Sequence, residues 1–126
     1  MPARYTLRIF TDFSAAHFLR NYEGKCARLH GHNWKIEVEV ITTKLDEVGM
    51  GLDFQIMKGE TKTLLEELDH YNLNDMPPFD KINPTAENLA AYIYQRLSER
   101  INDGRVTLSA ITVWETDRAC VRYTEE

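Results

Sequence analysis

An α+β fold, with a four-stranded antiparallel sheet carrying two helices on one face, is what the sequence predicts. Three observations carry this. Apolar residues alternate in two early segments, recur at helical spacing in two middle segments, and alternate again in two late ones. The resulting order is ββααββ, and strand pairs flanking a helix pair favour an antiparallel sheet with its helices segregated to one side.

The first strand is Tyr5 to His17, where Tyr5, Leu7, Ile9, Phe13 and Ala15 make an apolar face on which His17 also falls. A turn-rich stretch with Asn21 and Gly24 separates it from a second strand, His30 to Ile41. There His30, His32, Trp34, Ile36, Val38 and Val40 share one face, and Asn33, Lys35, Glu37 and Glu39 share the other. Asp53 has the chemistry of a helix N-cap, and Phe54, Met57, Thr61, Leu64, Leu65 and Leu68 follow at helical spacing, so this helix is expected to run to about Asp69-His70. A loop with Pro77-Pro78 leads to a second helix opening at Pro84-Thr85, with Glu87 in its first turn and a buried stripe of Leu89, Ile93, Leu97 and Ile101. Asp103-Gly104 ends it. Val106 to Thr116 and Ala119 to Tyr123 read as a closing hairpin.

Composition narrows the function classes. A chain of 126 residues with 43% hydrophobic content fits one domain spanning residues 1–126. The net charge of -5, with acids and bases interspersed, lacks the clustered basic face of a nucleic-acid binder. No apolar run approaches the ~20 residues that span a bilayer, and the N-terminus lacks the apolar core of a signal peptide. A soluble, cytoplasmic protein is expected, with its two cysteines, Cys26 and Cys120, reduced.

The histidines are the chemical signal. His30 and His32, at i and i+2 of a strand, project from one face, and hairpin-like pairing would bring His17 beside them. Three imidazoles plus one open position is the pattern of a catalytic zinc site. Taken alone, His17 reads more readily as a hydrogen-bonded core residue, and His-x-His alone is weak. Three histidines on otherwise apolar strand faces reverse that balance, because a buried imidazole needs a partner.

Cys26 lies four residues before His30, where a thiol near a metal-bearing site can serve as base or nucleophile. Cys120, on the last strand, is expected to be a small buried hydrophobe. Asp69-His70 admits two readings of equal standing. One is an acid–base pair; the other is charge matching at a helix C-terminus, since adjacent helical residues do not readily hydrogen-bond side chain to side chain. Glu115 shares a strand face with Ile111 and Val113, so its carboxylate must be paired or bind something. A planar ligand with two adjacent N–H donors would satisfy it.

Read together, the segments FSAAH (Phe13 to His17), C-x-x-x-HGHN (Cys26 to Asn33), LDHxxLN (Leu68 to Asn74), PTxENLA (Pro84 to Ala90) and WET (Trp114 to Thr116) resemble the 6-pyruvoyl- and 6-carboxytetrahydropterin synthase family, in order and over essentially the whole chain. The resemblance implies the tunnelling fold. It also implies zinc bound by His17, His30 and His32, catalytic Cys26, an Asp69 and His70 acid–base pair, Glu115 gripping the pterin's 2-amino and N3–H edge, and Thr85 as a further pterin contact. Three residues between Cys26 and His30, in a short chain, are like the bacterial 6-carboxytetrahydropterin synthases; the animal pyruvoyl-type enzymes carry a longer insert there. Trp34, where Tyr or Phe is commoner, and Ala86, where pyruvoyl-type sequences have threonine, are departures. The implied reaction is lysis of 7,8-dihydroneopterin triphosphate to 6-carboxytetrahydropterin, acetaldehyde and triphosphate, for queuosine-type deazapurines. A 6-pyruvoyl synthase and a non-catalytic zinc or pterin-binding module are the alternatives. The sheet's two expected unpaired edges point to an oligomer, and the resemblance makes it a hexamer of two trimers with sites at subunit interfaces.

Overall fold

Alternation becomes structure along a long hairpin. Strand β1 (Tyr5–His17) pairs antiparallel with β2 (His30–Thr42) from Tyr5 opposite Thr42 to His17 opposite His30. This computed structural model describes residues 3–126. Helix α1 (Phe54–Leu65) and helix α2 (Ala86–Ile101) follow, then β3 (Val106–Thr116) and β4 (Ala119–Tyr123), and the sheet order is β1-β2-β3-β4, antiparallel throughout.

Both helices start where cap chemistry places them. The Asp53 carboxylate accepts from Gln55 N at 2.8 Å, and Thr85 Oγ1 accepts from Asn88 N at 3.1 Å. Their apolar stripes, Met57, Leu64 and Leu68 with Leu89, Ile93 and Leu97, pack on the sheet face carrying Trp34, Ile36, Val38, Leu108, Ile111 and Val113. Helix α1 ends at Leu65, short of the expected Asp69-His70. The helical spacing survives as tighter turns, with Glu67 N donating to Leu64 O and Leu68 N to Leu65 O, so Leu68 still reaches the core.

What stops the helix is β1. The segment after Leu68 turns onto the outer edge of that strand: Ser14 N donates to Asp69 Oδ1 at 2.8 Å, Ala16 N donates to Tyr71 O at 3.0 Å, and Ala16 bridges Asn72 in parallel. The expectation of two fully unpaired edges is therefore corrected. The β1 edge is covered from Ser14 onward, while Tyr5 to Phe13 makes no backbone hydrogen bond outside the sheet among the described residues.

The other sheet face is charged, and on it Glu39 is nearly buried. Its carboxylate accepts from Arg122 Nε at 3.0 Å and from Arg8 Nη2 at 3.2 Å, tying the outer strands to β2. The hydrogen bond from Arg122 chiefly holds its pKa below the usual carboxylate range; burial opposes this and Arg8 adds to it. Stability from this group is then complete above the unfolded carboxyl's pKa and is lost as pH falls through the lower folded value. Glu39→Gln is expected to cost about 2 kcal/mol at neutral pH, read from urea midpoints. The difference from wild type should shrink below about pH 4; a difference constant down to about pH 3 would remove the ionic role.

Candidate functional site

The register of one hairpin assembles the histidines. His17 stands opposite His30 and Ala15 opposite His32, so all three imidazoles meet on the helix-facing side at the end of the hairpin where the 18–29 loop joins β1 to β2. One ligand atom from each lies within 4.8 Å of the others, and the ring centroids are 4.5 to 5.1 Å apart. Trp34, fully buried, floors the cluster, its ring 4.9 Å from His17 and 5.2 Å from His32.

Carbonyl groups set the tautomers. His17 Nδ1 donates to Pro84 O at 2.8 Å, and His30 Nδ1 donates to Arg28 O at 2.7 Å, which leaves the Nε2 lone pairs free. Burial, foremost, holds His17 and His32 below the ordinary histidine pKa. The neighbouring imidazoles push the same way, and Glu115 opposes. Neutral imidazole is the ligand form. His17 Nε2 and His32 Nε2 are both buried without a hydrogen-bond partner among the described residues. Two buried ring nitrogens left without partners are costly, and a cation held by the clustered histidines would satisfy both. The residues fit a metal ion.

The end of β1 that carries His17 is held from a distance. The Asn74 amide brackets Phe18, accepting from its N at 2.9 Å and donating to its O at 3.0 Å. Asn83 does the same for Arg20 at 2.9 and 3.0 Å. These amides extend the strand edge past its last residue. Sequence reasoning missed both, together with Ser14 and the Pro84 carbonyl. The signal was an asparagine beside each motif, in LN and INPT, but its partners lie more than fifty residues away.

Glu115 comes from an irregularity. The β3–β4 register passes from Trp114 opposite Cys120 to Thr116 opposite Ala119 and skips Glu115, which a bulge aims toward His32, Oε1 to Nε2 4.0 Å. It borders two cavities. One, about 210 Å³, is lined by Lys25, Cys26, His30 and His32 besides Glu115. The other, about 350 Å³, lies at the start of α2 against Leu19, Thr85, Ala86 and Glu87. The structure thus brings Cys26, Glu115 and the three histidines together, and places Thr85 one cavity away. Cys120 is exposed, not buried as expected, because β4 is a short edge strand with no layer over that position. Both cysteines are free.

Asp69 and His70 do form a pair, with Nδ1 2.9 Å from Asp69 Oδ2. The sequence-based objection to adjacent residues fails because His70 is not helical: its φ is +65°, a left-handed backbone that turns the ring back on its neighbour. A non-glycine residue there costs of order 1–3 kcal/mol, and such strain concentrates at functional sites. The Ser14 N–H is the main group holding Asp69 below the usual aspartate range, with His70 assisting. This pair shares no cavity with Cys26. His70 borders a separate one with Ser14, His32 and Asn33, on the β1 edge.

Fold and site together define an α+β protein built to hold a metal ion on three histidines, with a thiol and a carboxylate beside it. The family model of 6-pyruvoyl tetrahydropterin synthase matches residues 6–126, and the chain belongs to this family of pterin synthases. The 6-carboxy-5,6,7,8-tetrahydropterin synthase of Synechocystis sp. is 40% identical over 117 residues, which cover 89% of this chain and 87% of that one. The 6-pyruvoyl tetrahydrobiopterin synthase of Dictyostelium discoideum is 31% identical over 94% of this chain and 87% of its own. The structure of Caenorhabditis elegans 6-pyruvoyl tetrahydropterin synthase aligns at a TM-score of 0.87 and 28% identity, covering 98% of this chain and 97% of that one. The four antiparallel strands and two helices are those of the tunnelling fold. No helix among the described residues is long and apolar enough to cross a membrane.

Proposed function

We propose that the chain is a zinc-dependent, cytoplasmic carbon–carbon lyase. It would convert 7,8-dihydroneopterin triphosphate and water to 6-carboxytetrahydropterin, acetaldehyde and triphosphate, a step toward queuosine-type deazapurines. The observation that carries the reading is the pair of orphaned, buried imidazole nitrogens of His17 and His32, with His32 bordering one cavity together with Cys26 and Glu115. The carboxy branch is favoured by the three-residue spacing between Cys26 and His30 and by the name of the Synechocystis relative.

In this mechanism Glu115 accepts the N–H donors of the pterin edge, so the ring lies in the cleft that Thr85 also borders. That fixes the side chain of the substrate toward His30 and His32. His17, His30 and His32, as neutral imidazoles, would hold the zinc, which when bound would supply polarisation of a side-chain oxygen. Cys26, bordering the same cavity, removes a proton from the side chain. His70, oriented by Asp69, moves the second proton; being 81% exposed in its own chain, it is well placed to serve a neighbouring subunit's site. The family resemblance makes the working unit a hexamer of two trimers with interfacial sites.

Incubation with the triphosphate substrate, with analysis of every product, tests this reading. Expected are 6-carboxytetrahydropterin, acetaldehyde and triphosphate. A retained three-carbon diketone side chain would assign the 6-pyruvoyl reaction of the Dictyostelium relative's name. No triphosphate release would leave a binding module, a role for which Cys26 and His70 would be superfluous.

A further inference from the structure

We infer that Lys25 is the group that holds the triphosphate of the substrate, which makes it the determinant of phosphorylated over unphosphorylated pterin. This rests on the pterin reading above. A triphosphate ester brings several negative charges to a chain whose own net charge is -5, so its position must be set by local cations.

Six of the other fourteen lysines and arginines are already engaged. Arg8, Arg96, Arg100 and Arg122 pair with carboxylates, Lys35 lies over the Phe10 and Trp114 rings, and the Arg20 guanidinium donates to the Ile82 and Asn74 carbonyls. The cleft at the start of α2 is bordered by two carboxylates, Glu87 and Glu115, and by no Lys or Arg among the described residues. It suits a ring with N–H donors and repels phosphate. The cavity on the β1 edge likewise has no Lys or Arg among its described lining residues. The cavity between Cys26 and the histidines has one cation, Lys25. Arg28, in the same loop, turns its backbone carbonyl to His30 and does not line the cavity.

Lys25 is also held in place. The Cys26 carbonyl accepts from Leu19 N at 2.8 Å, tying the loop to the end of β1. Ala27 N donates to Gly24 O and Arg28 N to Lys25 O, closing a 3₁₀ turn over Lys25–Ala27. Gly24 sits at φ +143°, where a side chain would be strained and its Cβ would come 3.1 Å from the Tyr22 ring. Lys25 is thus presented at the cavity by an ordered turn. A substrate with its pterin on Glu115 and its side chain at the histidines places its anionic end toward the one cation there.

Direct titration by pterin fluorescence tests this, in a Cys26→Ala background so that nothing is consumed. Adding Lys25→Ala should weaken the triphosphorylated dihydropterin roughly 10- to 100-fold, the range for a lost bond between charged groups. Unphosphorylated dihydroneopterin should bind as before, and zinc content should not change. Lys25→Arg should restore most of the affinity, inorganic tripolyphosphate should compete only when a cation occupies position 25, and Lys58→Ala, on α1, should match the parent. Equal affinity for the triphosphorylated ligand with and without Lys25 overturns the assignment, as does a parallel loss for both pterins. If the parent binds neither pterin, the synthase reading itself falls and this inference with it.

Discussion

His30→Ala is expected to purify folded and without zinc, whereas the wild type carries one zinc per chain. The effect should be all-or-none in metal analysis because a catalytic-type site has only three protein ligands, and two imidazoles cannot hold the ion against dilution. His30 is the best variant for this purpose. Its ring is only partly buried, while His17 is 1% exposed and packs on Trp34, so His17→Ala would mix metal loss with core damage. His70→Ala is the matched control. Its ring is 81% exposed and outside the triad, and it should keep full zinc while losing turnover. Full zinc in His30→Ala would end the metal assignment.

Cys26→Ala and His70→Ala should each lose most activity, roughly 10²–10⁴-fold, yet regain it when mixed under conditions that exchange subunits. The motivation is geometric: within one chain Cys26 and His70 border different cavities, that of His70 lying on the covered edge of β1. If each site takes its thiol from one subunit and its imidazole from another, random mixing of equal amounts rebuilds about a quarter of the sites. Sites contained within single chains would rebuild none. Exchange should be verified independently, by mass labelling of one variant. Demonstrated exchange with no recovered activity would refute the shared site.

Much of the fold was legible because periodicity is local. Alternation located β1 and β2 to within a residue, Asp53 and Thr85 marked the helix starts, and the turn after Thr116 located the last hairpin. The facing of His30 and His32 followed from strand geometry alone. Where local signals competed with distant partners, the sequence misled. Leu68 continued the α1 stripe, but the helix had already ended so that Asp69, Tyr71 and Asn72 could bond to β1. Cys120 alternated like a core residue, yet it stands opposite Trp114 on the charged outer face of the sheet, while its neighbour Val121 packs inward.

By itself, then, the sequence determined which side chains share a face: three histidines on apolar strand faces, a carboxylate among valines, and two amphipathic helices to cover them. These are consequences of residue spacing, which a single strand or helix enforces without help. The tertiary structure alone decided the rest. The β1–β2 register put His17 opposite His30, a bulge aimed Glu115 at His32, arginines from the two outer strands closed on Glu39, and a left-handed His70 closed on Asp69. Each of these depends on hydrogen bonds or packing between segments far apart in the chain, or on a backbone conformation such contacts impose, and residue spacing carries no record of them.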